Sequence, residues 1–573
     1  MSGPTQGILR SVGLAAALIA IQAAILAPWV ERERIDADLS VEHHEDLEIP
    51  AEIRLLETAL GSFRGWLIHV LWLRAGQLED EGRVHESMQL SRWITRLQPN
   101  YPQVWFHQAS TLVFNNSIST RDLGERYLWI ESGISLLRDE GIPINRRSRF
   151  LYRQLAYIFW FKLGDDSRDE AREYYWRRFA AEWDQILGPP QGDTAEERAA
   201  WFAAIAESPR DWRDVLAKFP ALEGDRESLE AVVSGDTRGF IASVSRAERG
   251  LSDWVGWLND PQRGEAHRAI LACLRAKVLR ENYKMDPLLM LDLTRTLGPI
   301  DWRHPAAHAV YWSAVGVLRI ETGEDFPRLT PELRRVLDEN SEFSIGMKQL
   351  VARGRLGGDP VLESPTHMPE FRFFNAYERA IFGDDFKTAE EVPATDQLPY
   401  WRILEGALTN AWLRGNQETA EACLLRLRRF YDEVSETPRD WILDQLRAEL
   451  PEDPEERQFE LTDRLHSQFF EALREGIGVG EPEIAARREE LGETLWSEAT
   501  MLGVEVASLE QIRLEARQFF FQATSDVVSV NAKGIVWRGL SDEERAAMDQ
   551  RMVDYLRDSA QRAGLDPTEV FPN

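Results

Sequence analysis

The stretch Gly82–Leu112, GRVHESMQLSRWITRLQPNYPQVWFHQASTL, decides how the chain folds. Its first half places Gly82 at a turn, the small residue Ser87 five positions on, and Met88, Leu90 and Ile94 at helical spacing before Pro99 closes the unit. Its second half restarts with Trp105, Ala109 and Leu112, an aromatic, a small and a large residue three and four positions apart. A small residue lets two antiparallel helices approach closely, and large ones fill the gap beside it. Neither half can bury its apolar side alone, so the stretch predicts helices that pack in series.

The same pattern extends outward in both directions. Trp66, His69, Val70, Leu73 and Gln77 trace one helical face upstream. Downstream, Leu151–Ala180 offers Tyr152, Leu155, Ala156 and Phe159, a turn at Gly164, and Ala171 in a second helix. Trp312–Gly323 carries Val315, Gly316 and a turn glycine, with Arg319 where an aromatic is usual. Leu404–Tyr431 carries Gly415, Ala420 and Leu424. β-branched clusters bounded by Asn-Gly or Asp-Gly turns are missing, so the expected class is all-α. These segments resemble the tetratricopeptide-repeat (TPR) family, over about a third of the chain. The resemblance implies antiparallel helix pairs stacked as an α-solenoid, with the first helix of each pair lining a concave surface that grips an extended peptide or a partner helix. Two departures stand out: NNSISTRDLG after Phe114 lengthens an inter-helix turn, and Pro189–Gly264 is helical in pattern but fits no repeat.

Composition agrees with a folded, multi-part chain. At 573 residues it is too long for one hydrophobic core, and 25 Phe with 20 Trp argue against disorder. The formal charge of −29 makes nucleic acid an unfavourable partner. Cys273 and Cys423 are the only cysteines, too few for a disulfide framework or a thiolate zinc site, and read as small buried hydrophobes.

Residues 11–30, SVGLAAALIAIQAAILAPWV, contain no charge, and a helix of that length rises about 30 Å, the thickness of a bilayer's hydrocarbon. Arg10 precedes the segment, Trp29 stands where an interfacial aromatic anchors, and the acidic ERERIDADLSVEHHEDLEIP follows. The expectation is a retained single-pass anchor in a bacterial inner membrane, with the bulk of the chain extracytoplasmic. A cleaved signal peptide is the competing reading. The resulting division is a cytoplasmic N-terminus (1–10), the anchor (11–30), an acidic linker (31–50), TPR-like repeats (51–188), an irregular helical insertion (189–264), a second helical-repeat region (265–452) and C-terminal amphipathic helices (453–573). The layout resembles a group of membrane-anchored bacterial TPR-like proteins without assigned activity, which supports fold and anchor but supplies no function.

No phosphate-cradling glycine loop and no GxSxG elbow is present, and no motif calls for a cofactor. The sharpest chemical candidate is HPAAH, where Pro305 starts a helix and His304 and His308 lie four residues apart, a spacing that suits zinc. The pattern lacks the Glu of HExxH, so the plainer reading is that His304 caps the helix and His308 packs. Carried onto the first helices, the TPR resemblance implies a partner-binding groove of His69, Trp72, Gln103, Phe106, Ser110, Arg153, Tyr157 and Trp160. The expected function is therefore a membrane-tethered, non-enzymatic scaffold for other proteins or peptides. The alternatives are a metal-dependent enzyme using His304 and His308, or a glycan- or peptide-binding module.

Overall fold

The structure, a computed structural model, describes residues 64–164, 169, 171–248, 255–338, 341–357, 366–382, 394–428, 434–448, 450–523, 528, 530–562 and 566–572. The proposed anchor and acidic linker lie outside these residues. The described chain is all-α apart from one two-stranded hairpin. No helix among the described residues is long and apolar enough to cross a membrane. The chain divides after Gln154 into two compact units, inside the segment that the sequence assigns to one run of repeats.

In the first unit, α1 (Arg64–Asp80) and α2 (Val84–Leu97) form an antiparallel hairpin. Gly82 makes the turn at φ 71°, a left-handed conformation that costs glycine least. Ile68 of α1, Ile94 and Leu97 of α2, and Val104 of the next helix form the core of the join. That helix, α3 (Pro102–Ser110), starts on Pro102, whose missing N–H would have no partner at a helix start anyway. The repeat positions Ser87, Trp105, Ala109 and Leu112 are all buried. The predicted long turn after Phe114 is shorter than expected. A π-helical segment, Thr111–Asn116, and a helical turn, Ser117–Ser119, carry α3 onward, and α4 (Leu123–Ser135) begins on an Asp122 cap. Gly133 of α4 presses on Val113 and Ala109, where a side chain has no room. A second π-helical segment, Leu136–Gly141, and a short loop lead to α5 (Arg149–Tyr157).

The second unit begins within α5 and is built around a buried helix. It contains α6 (Arg172–Leu187), α7 (Ala195–Ala206), α8 (Gly264–Glu281), α9 (Pro287–Leu297) and α10 (Pro305–Thr322). Every residue from Pro305 to Leu318 is buried, as expected of a helix that is apolar on all sides. It ends on Gly323 in the left-handed conformation. α11 (Ser341–Arg353) packs on α10, with Gly346 against Val310. Strands β1 (Arg355–Gly357) and β2 (Thr366–Met368) follow, pairing antiparallel with Leu356 opposite His367. The hairpin α12 (Ala394–Leu413) and α13 (Gln417–Leu427) turns on Gly415 at φ 74°. Longer helices close the chain, among them α14 (Pro454–Glu471), α15 (Pro482–Met501) and α16 (Leu509–Gln522), of which α14 packs on both others.

Candidate functional site

The residues expected to line a groove divide between the two units. Six of them, His69, Trp72, Gln103, Phe106, Ser110 and Arg153, belong to the first unit, where alternate helices meet ring to ring. The Trp72 indole of α1 stands perpendicular to the His107 ring of α3, centroids 4.3 Å apart. Phe106 of α3 stands perpendicular to Phe150 of α5 at 5.7 Å. Such edge-on pairs align helices while leaving part of each ring open. One turn along from these contacts, His69, Gln103 and Arg153 are exposed, and Trp72, Phe106 and Ser110 are half-buried. The Ser110 hydroxyl donates to the His107 carbonyl at 2.9 Å and keeps its lone pairs for another donor. The face thus offers aromatic edges beside an imidazole, an amide, a hydroxyl and a guanidinium. That chemistry suits hydrogen bonding to a peptide backbone; it assembles no nucleophile with a base. Tyr157 and Trp160 belong to the second unit, where the Tyr157 ring stacks on Phe161 at 5.0 Å and the Trp160 carbonyl accepts from Gln349 at 2.9 Å.

The second candidate, HPAAH, is wholly buried in the second unit. His304 caps α10: its Nδ1 accepts from the Ala306 N–H at 3.0 Å. That bond fixes the neutral ring's proton on Nε2, so Nε2 has no lone pair to give a cation. His308 donates from Nε2 to the Trp302 carbonyl at 2.9 Å, an atom that can only accept, and its ring is boxed by Phe159, Phe179 and Trp183. The two rings are committed to capping and packing. Among the described residues no cluster of three or more His, Cys, Asp or Glu is placed to hold a metal ion.

His304 does have a neighbour that sequence distance conceals. The ring of His367 on β2 lies 4.8 Å from it, centroid to centroid, and stacks on Trp176 of α6 at 3.8 Å. His304 Nε2 and His367 Nδ1 are both sealed from solvent without a hydrogen bond. Burial pulls the His304 pKa down to about 4, with Arg353 pushing the same way against Asp301. Burial, His304, Arg353 and Arg172 hold His367 well below the usual histidine range. Both rings are therefore neutral at pH 7.

Beside them, Arg303 donates twice to Asp301, at 3.0 and 2.8 Å, and once to Asp184 of α6 at 3.2 Å. Burial opposes ionisation of Asp301, yet the Arg303 guanidinium overrides it and keeps the carboxyl below its ordinary range. This network opens on a 660 Å³ cleft lined by Arg198, Arg355 and Arg372 as well as by Glu370 and Trp201. Two of these cations are matched at short range: Arg372 is bidentate on Glu370 at 2.7 and 2.6 Å, and Arg355 is bound to Glu481, whereas Arg198 donates to the Gly192 carbonyl at 2.8 and 3.1 Å. Sequence reasoning reached His304 through HPAAH but missed Asp184 and His367. Those partners are brought in from 119 and 63 positions away, and no local pattern announces them. No protein-family model, curated protein or solved structure matches the chain.

Proposed function

We propose that the chain is a membrane-tethered, non-enzymatic scaffold that holds an extended peptide or a partner helix on the first unit. The observation that supports this is the ring-to-ring alignment of α1, α3 and α5, which leaves His69, Gln103 and Arg153 exposed beside half-open aromatics. A solvated face of this composition recognises main chain by hydrogen bonds and side chains by aromatic contact. The tether in this reading is residues 11–30, facing the folded units outward from a bacterial inner membrane.

The test is a photo-crosslinking amino acid placed at Gln103 in the full-length chain, in its native membrane. A discrete adduct is expected from Gln103. It should disappear with Trp72→Ala plus Phe106→Ala and be missing from a probe at the exposed position Glu196 on α7. Equal labelling from both sites would remove the groove from the proposal. Alkaline carbonate examines the tether separately: retention in the pellet is expected, and release would sink it.

A further inference from the structure

Most of the described first unit reverses the charge of the whole chain. Residues 87–154 carry nine arginines against five carboxylates, a net +4 in a protein of −29. No acid occurs from Ser87 to Arg121 or from Gly141 to Gly164, although acids make up 96 of the 573 residues. The fold brings the two acid-free stretches together. Asn145 Nδ2 donates to the Pro99 carbonyl at 2.9 Å, and Trp105 Nε1 donates to the same oxygen at 2.7 Å. This seats the Asn145–Ser148 loop against the turn that follows α2. Arg92 and Arg96 on α2, Arg147 in the loop and Arg149 just after it are exposed and make no side-chain hydrogen bond or ion pair among the described residues. Elsewhere arginines are routinely paired, as Arg447 is with Glu498 and Arg439 with Glu490.

Two large exposed aromatics lie on α2 and in the turn that follows it. Trp93, three residues from Arg96, is 49% exposed, and Tyr101 in the adjoining turn is 50% exposed. Exposed Trp and Tyr beside unpaired Arg are the side chains that favour the headgroup layer of a bilayer, apolar at one end and wet at the other. Guanidinium groups bind phosphate in a bidentate fork. We infer that this end of the first unit, Arg92, Trp93, Arg96, Tyr101, Arg147 and Arg149, docks on anionic phospholipid headgroups. An acidic polypeptide would satisfy the same charges; what favours lipid is the membrane tether proposed for residues 11–30, which holds the first unit near a bilayer. The inference rests on the tether reading in one respect: Arg64 lies 34 residues after Val30, so residues 11–30 would keep the start of the first unit's described helices within about 120 Å of the bilayer even with the chain fully extended.

The experiment uses the full chain in nanodiscs, either neutral phosphatidylcholine or with about a third phosphatidylglycerol, followed by amide hydrogen exchange. The expected result is protection of peptides covering 92–101 and 145–153 in anionic discs only, lost in 0.5 M NaCl. The triple variant Arg96→Glu, Arg147→Glu, Arg149→Glu should weaken that association roughly a hundredfold, while exchange of the α10 core stays unchanged, certifying the fold. Equal exchange in both discs would overturn the inference. So would protection that appears with added polyglutamate and not with anionic lipid, which would make the partner an acidic chain. Carbonate extraction in parallel separates the two readings. A chain that carbonate releases but that anionic discs still protect loses the anchor alone. A chain that carbonate retains and discs do not protect loses the headgroup site alone.

Discussion

Single residues carry much of what distinguishes this protein from a generic helical array. The paired rings of His304 and His367 make a definite demand on pH. An unfolded histidine takes a proton below about pH 6.5, whereas folded His304 holds out to about 4. Between those limits the unfolded state binds more protons, so stability is complete above 6.5 and drains as pH falls. From pH 7 to pH 5 the loss from His304 alone is about 2 kcal/mol. Asparagine also caps helices, so His304→Asn should keep α10 and remove that share. Urea melts of both proteins at the two pH values measure it, and an unchanged pH difference in the variant would show that the ring is not the titrating group. The cysteines invite a parallel prediction. Burial pushes the Cys273 thiol up to about 11 and Cys423 up to about 12. Since the thiolate is the reactive form, native protein at pH 8 should react with iodoacetamide at least about a hundredfold more slowly than urea-unfolded protein. Comparable native and unfolded rates would mean that one of the two sites opens readily.

At the scale of elements, much was legible because the code is local. The glycine of a turn, the small residue five positions on and a closing proline are read within a few turns of helix, and Ser87, Ala109, Ala156 and Ala420 are all buried. The β1–β2 hairpin was not legible: its strands are three residues each and lack an alternating pattern. Its place depends on His367 reaching Trp176, a contact 191 positions long. The link between α6 and the start of α10 is similarly non-local and rests on Arg303. Arg303→Met should leave Asp184 and Asp301 buried without their cation and cost about 3–5 kcal/mol, seen as a lower denaturant midpoint; a loss under 1 kcal/mol would mean that water reaches the carboxylates. Two glycines inside helices should respond in opposite senses. A Cβ on Gly133 would sit 2.4 Å from Val113 Cγ2 and 2.9 Å from the Ala109 carbonyl, so Gly133→Ala should cost about 1–3 kcal/mol. Gly406 is exposed on α12 with open space around it, and Gly406→Ala should add about 0.5–1 kcal/mol. Thermal melts that moved the same way for both would contradict the packing described for α4.

Over the whole molecule, charge is the property that sequence states most plainly and that local reading used least. Scanned along the chain, the arginines look scattered; only the fold brings the stretch after Arg96 against the loop that holds Arg147, so the repeat pattern suggested groove candidates but gave no sign of the basic end. With +4 confined to residues 87–154, the remaining chain carries −33. Two effects then oppose each other when salt is added. Surface ion pairs such as Arg328–Asp292 and Arg226–Glu223 are weakened, but solvent already screens such pairs and each contributes little. Repulsion among the excess carboxylates is screened at the same time, and it acts across the full surface with a Debye length that shrinks to under 10 Å above 0.1 M salt. The unpaired excess should win. The melting temperature is expected to rise by about 2 °C or more between 20 and 300 mM NaCl, with most of the change below 100 mM, where the screening length shortens fastest. A melting temperature that fell with salt would mean that the paired arginines, not the surplus acids, set the electrostatic balance of the fold.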